Sequence, residues 1–140
     1  RLGEGGDFDL ASGRWFYHQH APEWQPDGTL LLYDNGNGNP HLAEWNSRAL
    51  LLDVDEESRI ATPLWDDQVE DFQCPRAGDA SRITGGHFLV LDTICDGCPG
   101  VASRMREIDP KVDHDPLWTL FFPADQLAYR AVGVERLPGE

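Results

Sequence analysis

The sequence predicts an all-β fold, part of a β-propeller: a fragment of about two blades plus a closing strand. Two observations predict it. Glycine (14), proline (10) and tryptophan (five) are frequent, and the apolar residues gather in short runs broken by Gly, Asn and Asp. That mix suits short strands joined by many turns and not a disordered chain. The second observation is an internal repeat. Asp27-Gly28-Thr29-Leu30-Leu31-Leu32-Tyr33-Asp34, then Ser47-Arg48-Ala49-Leu50-Leu51-Leu52-Asp53, then Leu64-Trp65 are answered by Gly85-Gly86-His87-Phe88-Leu89-Val90-Leu91-Asp92, Ser103-Arg104-Met105-Arg106-Glu107-Ile108-Asp109 and Leu117-Trp118. Matched positions lie 58 (Gly28 to Gly86), 56 (Ser47 to Ser103) and 53 residues apart (Trp65 to Trp118). A period of this length carrying several short strands is the signature of a propeller blade. No segment sustains helical periodicity beyond about two turns.

The repeat divides the chain into the tail of a preceding blade (1–12), a first blade unit (13–71), a second (72–124), and a closing strand with its tail (125–140). Leu30 to Tyr33 and Phe88 to Leu91 are unbroken apolar runs, which predicts strands buried on both faces. Val54-Asp55-Glu56-Glu57 and Ile108-Asp109-Pro110-Lys111 read as turns between strands. Tyr129 to Val134 reads as one more strand, closing the ring. Two blades cannot close a propeller, which needs roughly four or more. Upstream blades of the same chain are therefore expected partners, and the Arg1 start fits a fragment. Alone, the piece would expose inter-blade faces and associate.

The formal charge is −14, with the acidic residues scattered, so phosphate backbones would be repelled and nucleic acid is excluded as a partner. No apolar run reaches the roughly 20 residues of a membrane span. Of three cysteines, Cys95 and Cys98 form one CxxC. Two readings stand: a disulfide between two of the three in an oxidising compartment, or a Cys3His zinc site from Cys74, Cys95, Cys98 and His87. A thioredoxin-like role lacks the helix that should follow the CxxC.

Trp15-Phe16-Tyr17-His18-Gln19-His20 holds the candidate chemistry. On a strand, His18 and His20 would point to the same side. A neutral imidazole can attack and carry a transferred group covalently. The same pair could begin a metal site with His41 or Asp34, as in a metal-dependent propeller hydrolase, or simply pack. Asp34 to Pro40 reads as a wide Asn/Gly turn, and Gly36 and Gly38 deny it the carboxylates of a calcium loop. Asp34 and Asn35, at the strand end, could orient a nearby imidazole. Ser47-Arg48 and Ser103-Arg104 recur, which favours a structural role such as pairing with the Asp-rich turns. Arg76 does not recur, and falls on the same rim as His20 by the repeat register. It could bind a sulfate or carboxylate.

In their order, these segments resemble the arylsulfate sulfotransferase family: Gln19-His20, Asp27-Gly28-Thr29-Leu30, Asp34-Asn35-Gly36, Ser47-Arg48, Val54-Asp55-Glu56, Leu64-Trp65 and Tyr129-Arg130-Ala131. The resemblance implies a six-bladed ring, periplasmic or secreted. It implies sulfuryl transfer from a phenolic sulfate ester to a phenol through a sulfohistidine, with no nucleotide sulfate donor and no cofactor or metal. It implies His20 as the catalytic nucleophile; the reading of the surrounding residues adds His18, Asn35 and Arg76 as expected substrate-binding residues. Family histidine, asparagine and arginine residues from earlier blades would complete the site. One departure stands out: Gln73-Cys74-Pro75-Arg76-Ala77-Gly78 has no hydroxyl residue where the best-known members carry a site threonine. A propeller that binds a ligand or partner on its rim without catalysis is the competing reading.

Overall fold

A computed structural model describes residues 1–42, 44–67, 72–94, 100–112 and 114–134. The described residues form nine strands: β1 Asp9–Leu10, β2 His20–Trp24, β3 Leu30–Asp34, β4 Arg48–Asp55, β5 Ile60–Asp66, β6 Asp79–Arg82, β7 Phe88–Thr93, β8 Val101–Ile108 and β9 Trp118–Pro123. They make two sheets, ordered β1-β5-β4-β3-β2 and β6-β7-β8-β9. Strands β2 to β5 and β6 to β9 are antiparallel meanders of four, and β1 joins β5 in parallel at the outer edge. The chain is all-β, with two sheets packed as neighbouring propeller blades pack.

The repeat is one of register, not only of composition. Asp34 pairs with Arg48 and Asp92 with Arg104, while Leu51 pairs with Trp65 and Glu107 with Trp118. The apolar runs are buried throughout β3 and β7. One face of the first sheet, with Leu30, Leu32, Leu50 and Leu52, lies under Phe16 and Trp15 of the N-terminal segment. Its other face, with Leu31, Tyr33, Ala49 and Leu51, meets Ala80, Phe88, Val90 and Ile108 of the second sheet. Trp65 packs on Phe88 there, with ring centroids 4.9 Å apart.

The recurrent arginines do find aspartates, but not those of the turns. Arg48 Nε donates to Asp34 Oδ2 (2.9 Å) and its Nη1 to Asp66 (2.8 Å), while Arg104 Nε donates to Asp92 (2.9 Å). The turn carboxylates serve their own backbone instead: Asp55 accepts from the amides of Glu57 and Ser58, and Asp109 from that of Lys111. Asp55 spends both oxygens on its own turn, the second on the Ser58 hydroxyl, while the second oxygen of Asp109 faces His87. Residues 129–134 run beside β6 without joining its ladder. The Ala131 amide donates to the Asp79 side chain (3.2 Å) instead of to a strand carbonyl.

A buried polar network bolts the sheets together. Arg106 Nε and Nη2 donate to Asp92 Oδ2 and Oδ1, and Nη2 also reaches Asp67 at 2.6 Å. The Tyr33 hydroxyl of the first sheet donates to Asp92 (2.8 Å). Asp67 also accepts the Ala49 amide at the start of β4 (2.9 Å). Burial raises the Asp92 carboxyl, but Arg106 and Arg104 outweigh it and hold the group below its ordinary value. For Asp67 burial wins and the carboxyl is raised. Arg106→Leu would leave the buried Asp67 carboxylate without its cation and Asp92 with Arg104 alone. It should lower unfolding free energy in urea by about 3–5 kcal/mol. A loss below about 1 kcal/mol, the level of an exposed pair, would show the network is dispensable.

Candidate functional site

The site residues gather at one end of the two sheets, where β2 and β6 begin, β3 ends and β4 begins. His20 is the first residue of β2, paired with Tyr33. A bulge follows, since three steps along β2 answer two along β3 before Glu23 pairs with Leu31. Ala21 takes φ +47 within it. Such a bulge kinks the strand and re-aims side chains.

This geometry corrects the expected alternation of His18 and His20. His18 precedes the strand and has φ +53, so a period of two does not reach it. Its imidazole lies against Gly38, and its carbonyl, not its ring, approaches His20, at 3.2 Å from Nδ1. His18 is exposed and His20 half-buried. The metal alternative finds no third ligand in its named candidates. His41 Nε2 pairs with Glu4 (2.6 Å), and the Asp34 oxygens take the Tyr17 amide and Arg48.

Asn35 lies directly beneath His20. Its side chain is wholly buried, so it faces the imidazole and the protein, not solvent. Oδ1 stands 2.6 Å from His20 Nδ1, while Nδ2 donates to the carbonyls of Cys74 (2.5 Å) and Ala77 (2.8 Å). Those carbonyls belong to the segment that leads into β6. Ser47 ties the segment down: its hydroxyl donates to the Asn35 carbonyl (2.9 Å) and accepts the Cys74 amide (2.8 Å). Gly78 ends the segment with its backbone on the Tyr33 ring, where a Cβ would fall 2.2 Å from ring carbon. Its φ of +143 likewise favours glycine.

Arg76 sits between Cys74 and Ala77 in this same segment. It is exposed and has no hydrogen-bond or ion-pair partner among the described residues. Beside His20 a cleft of about 260 Å³ opens between Ala21–Glu23 of β2, Asp79–Ser81 of β6 and Arg130–Val132. Burial raises the Asp79 carboxyl, partly offset by the Ala131 amide and by Arg130, whose Nε is 3.7 Å away.

Comparing the two sheets isolates what is special about the first. Asp79 pairs with Leu91 as His20 pairs with Tyr33, so Asp79 occupies the second sheet's equivalent of the imidazole position. Thr93 stands where Asn35 does, and Ser103 where Ser47 does. Ser103 Oγ contacts Thr93 Oγ1 (2.8 Å) and accepts the Ala128 amide (3.2 Å), repeating the staple without the amide or the imidazole. The serines therefore belong to the scaffold, and His20 with Asn35 to the site. Sequence reasoning missed Asp79 and the Ser47 staple. The 58-residue offset carries Asn35 onto Thr93, but from His20 it falls on Gly78, one residue short of Asp79, because the bulge in β2 shifts the register.

Cys74 is disulfide-bonded, which removes the thiolate that a Cys3His zinc site would need. Cys95 and Cys98 lie outside the described residues. His87, the fourth proposed ligand, gives Nδ1 to Glu107 (2.7 Å) and has Nε2 3.8 Å from Asp109.

The fold and this arrangement define a propeller-type protein with a rim imidazole seated on a buried amide. The family model for arylsulfotransferase (ASST) matches residues 9–118, and the chain belongs to that family. At family level this assigns a transferase acting in aryl sulfuryl transfer. No match was found among curated proteins. No helix among the described residues is long and apolar enough to cross a membrane.

With one disulfide among three cysteines, mass spectrometry after denaturation should find a single alkylated thiol without reductant and three with it. Three alkylated thiols without reductant would contradict the disulfide at Cys74.

Proposed function

We propose that the protein moves a sulfuryl group from a phenolic sulfate ester to a phenol acceptor through a sulfohistidine on His20, without a nucleotide sulfate donor. The observation that carries the reading is a half-buried imidazole, supported from beneath by Asn35 on a family-matched scaffold. In the first half-reaction a ring nitrogen of His20 attacks sulfur. The N–S bond forms, the S–O(aryl) bond breaks, and the phenolate leaves with its electron pair. In the second, the acceptor oxygen attacks the same sulfur. The S–N bond breaks, and its electron pair returns to the imidazole while the acceptor proton passes to solvent.

Charge on the transferring oxygens calls for cations and donors. Arg76, without a partner among the described residues on the segment that covers Asn35, and His18, against Gly38, are the groups this chain would supply. Residues of further blades would complete the site. Trp118 supports their existence: it is the register equivalent of Trp65, which packs on the next sheet, yet it remains 40% exposed. A periplasmic or secreted location accords with the disulfide at Cys74. The competing reading, a rim-binding propeller without catalysis, draws on one fact: Gln73 to Gly78 offers no hydroxyl residue.

With a nitrophenyl sulfate donor and a phenol acceptor, the wild-type protein in its completed ring should release nitrophenol continuously, and without acceptor it should stop after about one equivalent per site. His20→Ala should reduce that rate at least a hundredfold, the range for losing a covalent or acid–base group. Folded wild-type protein that releases none would move the assignment to the binding reading.

A further inference from the structure

We infer that Asn35 is a positioning residue that fixes the tautomer of His20, holding the proton on Nδ1 and leaving Nε2 as the nucleophilic atom. The use made of Nε2 rests on the sulfuryl-transfer reading, whereas the tautomer itself does not.

The argument is one of hydrogen-bond satisfaction. An Asn side chain has an acceptor end and a donor end, and its neighbours decide which way it points. Here one end faces two backbone carbonyls, those of Cys74 at 2.5 Å and Ala77 at 2.8 Å. Carbonyls only accept, so that end must be the NH2 group. The flipped amide would set its oxygen against two carbonyl oxygens in a buried site with no donor between them. Oδ1 is thereby committed to His20 Nδ1, 2.6 Å away, and can only accept. The other neighbour of Nδ1 is the His18 carbonyl at 3.2 Å, again an acceptor. Every group facing Nδ1 needs a proton there, so a neutral His20 carries it on Nδ1 and its lone pair on Nε2.

The consequence for transfer follows directly. When Nε2 bonds to sulfur the ring becomes an imidazolium, still carrying its Nδ1 proton, and Oδ1 accepts from it throughout. A neutral amide can stabilise that cation without removing its proton, so the ring stays a good leaving group in the second half-reaction. The donor end of the amide depends on the segment that Ser47 and Gly78 hold in place. The orientation of His20 is thus set by a loop from the far side of the inter-sheet interface.

The test is ¹⁵N NMR of histidine-labelled wild-type protein, recorded above the pH at which the His20 signals stop moving, with His20 assigned by its loss in His20→Ala. The inference expects the His20 proton on Nδ1 and a pyridine-like Nε2. In Asn35→Leu, which keeps the volume and removes the amide, only the longer contact to the His18 carbonyl still favours Nδ1–H, so the Nε2–H fraction should rise. Donor turnover should then fall by about 10- to 100-fold, the range seen when partners that orient metal-ligating imidazoles are lost. A wild-type ring protonated on Nε2 would overturn the inference, even if His20→Ala abolished transfer. An Nδ1–H ring in a protein without transferase activity would uphold the tautomer and sink the sulfuryl-transfer reading instead. The wild-type spectrum decides the matter even if Asn35→Leu fails to fold.

Discussion

Arg106 is the residue on which the rest of the arrangement depends. Its guanidinium lies between Asp92 of its own sheet and Asp67, which follows β5 of the other. The Tyr33 hydroxyl joins the same cluster through Asp92. Apolar contact alone would let two sheets slide across each other, because dispersion is indifferent to register. A desolvated cation with fixed donor directions is not indifferent, and buried charges of this kind tolerate little displacement. The network therefore fixes how β6 and the segment before it sit on the end of β3.

That placement is what the site uses. Asn35 follows Asp34, whose carboxylate holds Arg48, and precedes the loop that returns to Ser47. The strand end is thus anchored by ion pair and staple before its amide meets Cys74 and Ala77. His20 contributes little to this rigidity. It stands on a bulged inner strand and receives its orientation from the amide below. Second-sheet backbone, first-sheet amide and inner-strand imidazole form one chain of contacts, and of the two side chains only the imidazole is partly exposed.

The parts of this that were legible in the sequence are the parts encoded by neighbouring residues. Apolar runs ending in Asp, followed by Ser-Arg, marked β3 with β4 and β7 with β8, and Trp65 and Trp118 fell in equivalent register. The inner strand β6 is harder to see, because Asp79-Ala80-Ser81-Arg82 gains its burial from another sheet and shows no alternation of its own. His18 was misplaced beside His20, because a positive φ before a bulge has no marker in a non-glycine residue. Arg48 was expected at the Asp-rich turns, and local sequence offers no means of choosing Asp34 over Asp55. That choice follows from turn amides, which claim Asp55 first. His20 and Asn35 were recognisable as residue types. Their relation was not, because the groups that orient Asn35 are backbone carbonyls 39 and 42 residues away, and a carbonyl carries no residue signature.

The central claim is that His20 carries the transferred group. It is tested most directly by reacting the protein with an aryl sulfate in the absence of acceptor, quenching in alkali, then mapping the modified peptide by mass spectrometry. The account predicts one added SO3 on His20, lost when a phenol is supplied before the quench. The same mass on another residue, or none while donor is being consumed, would contradict it.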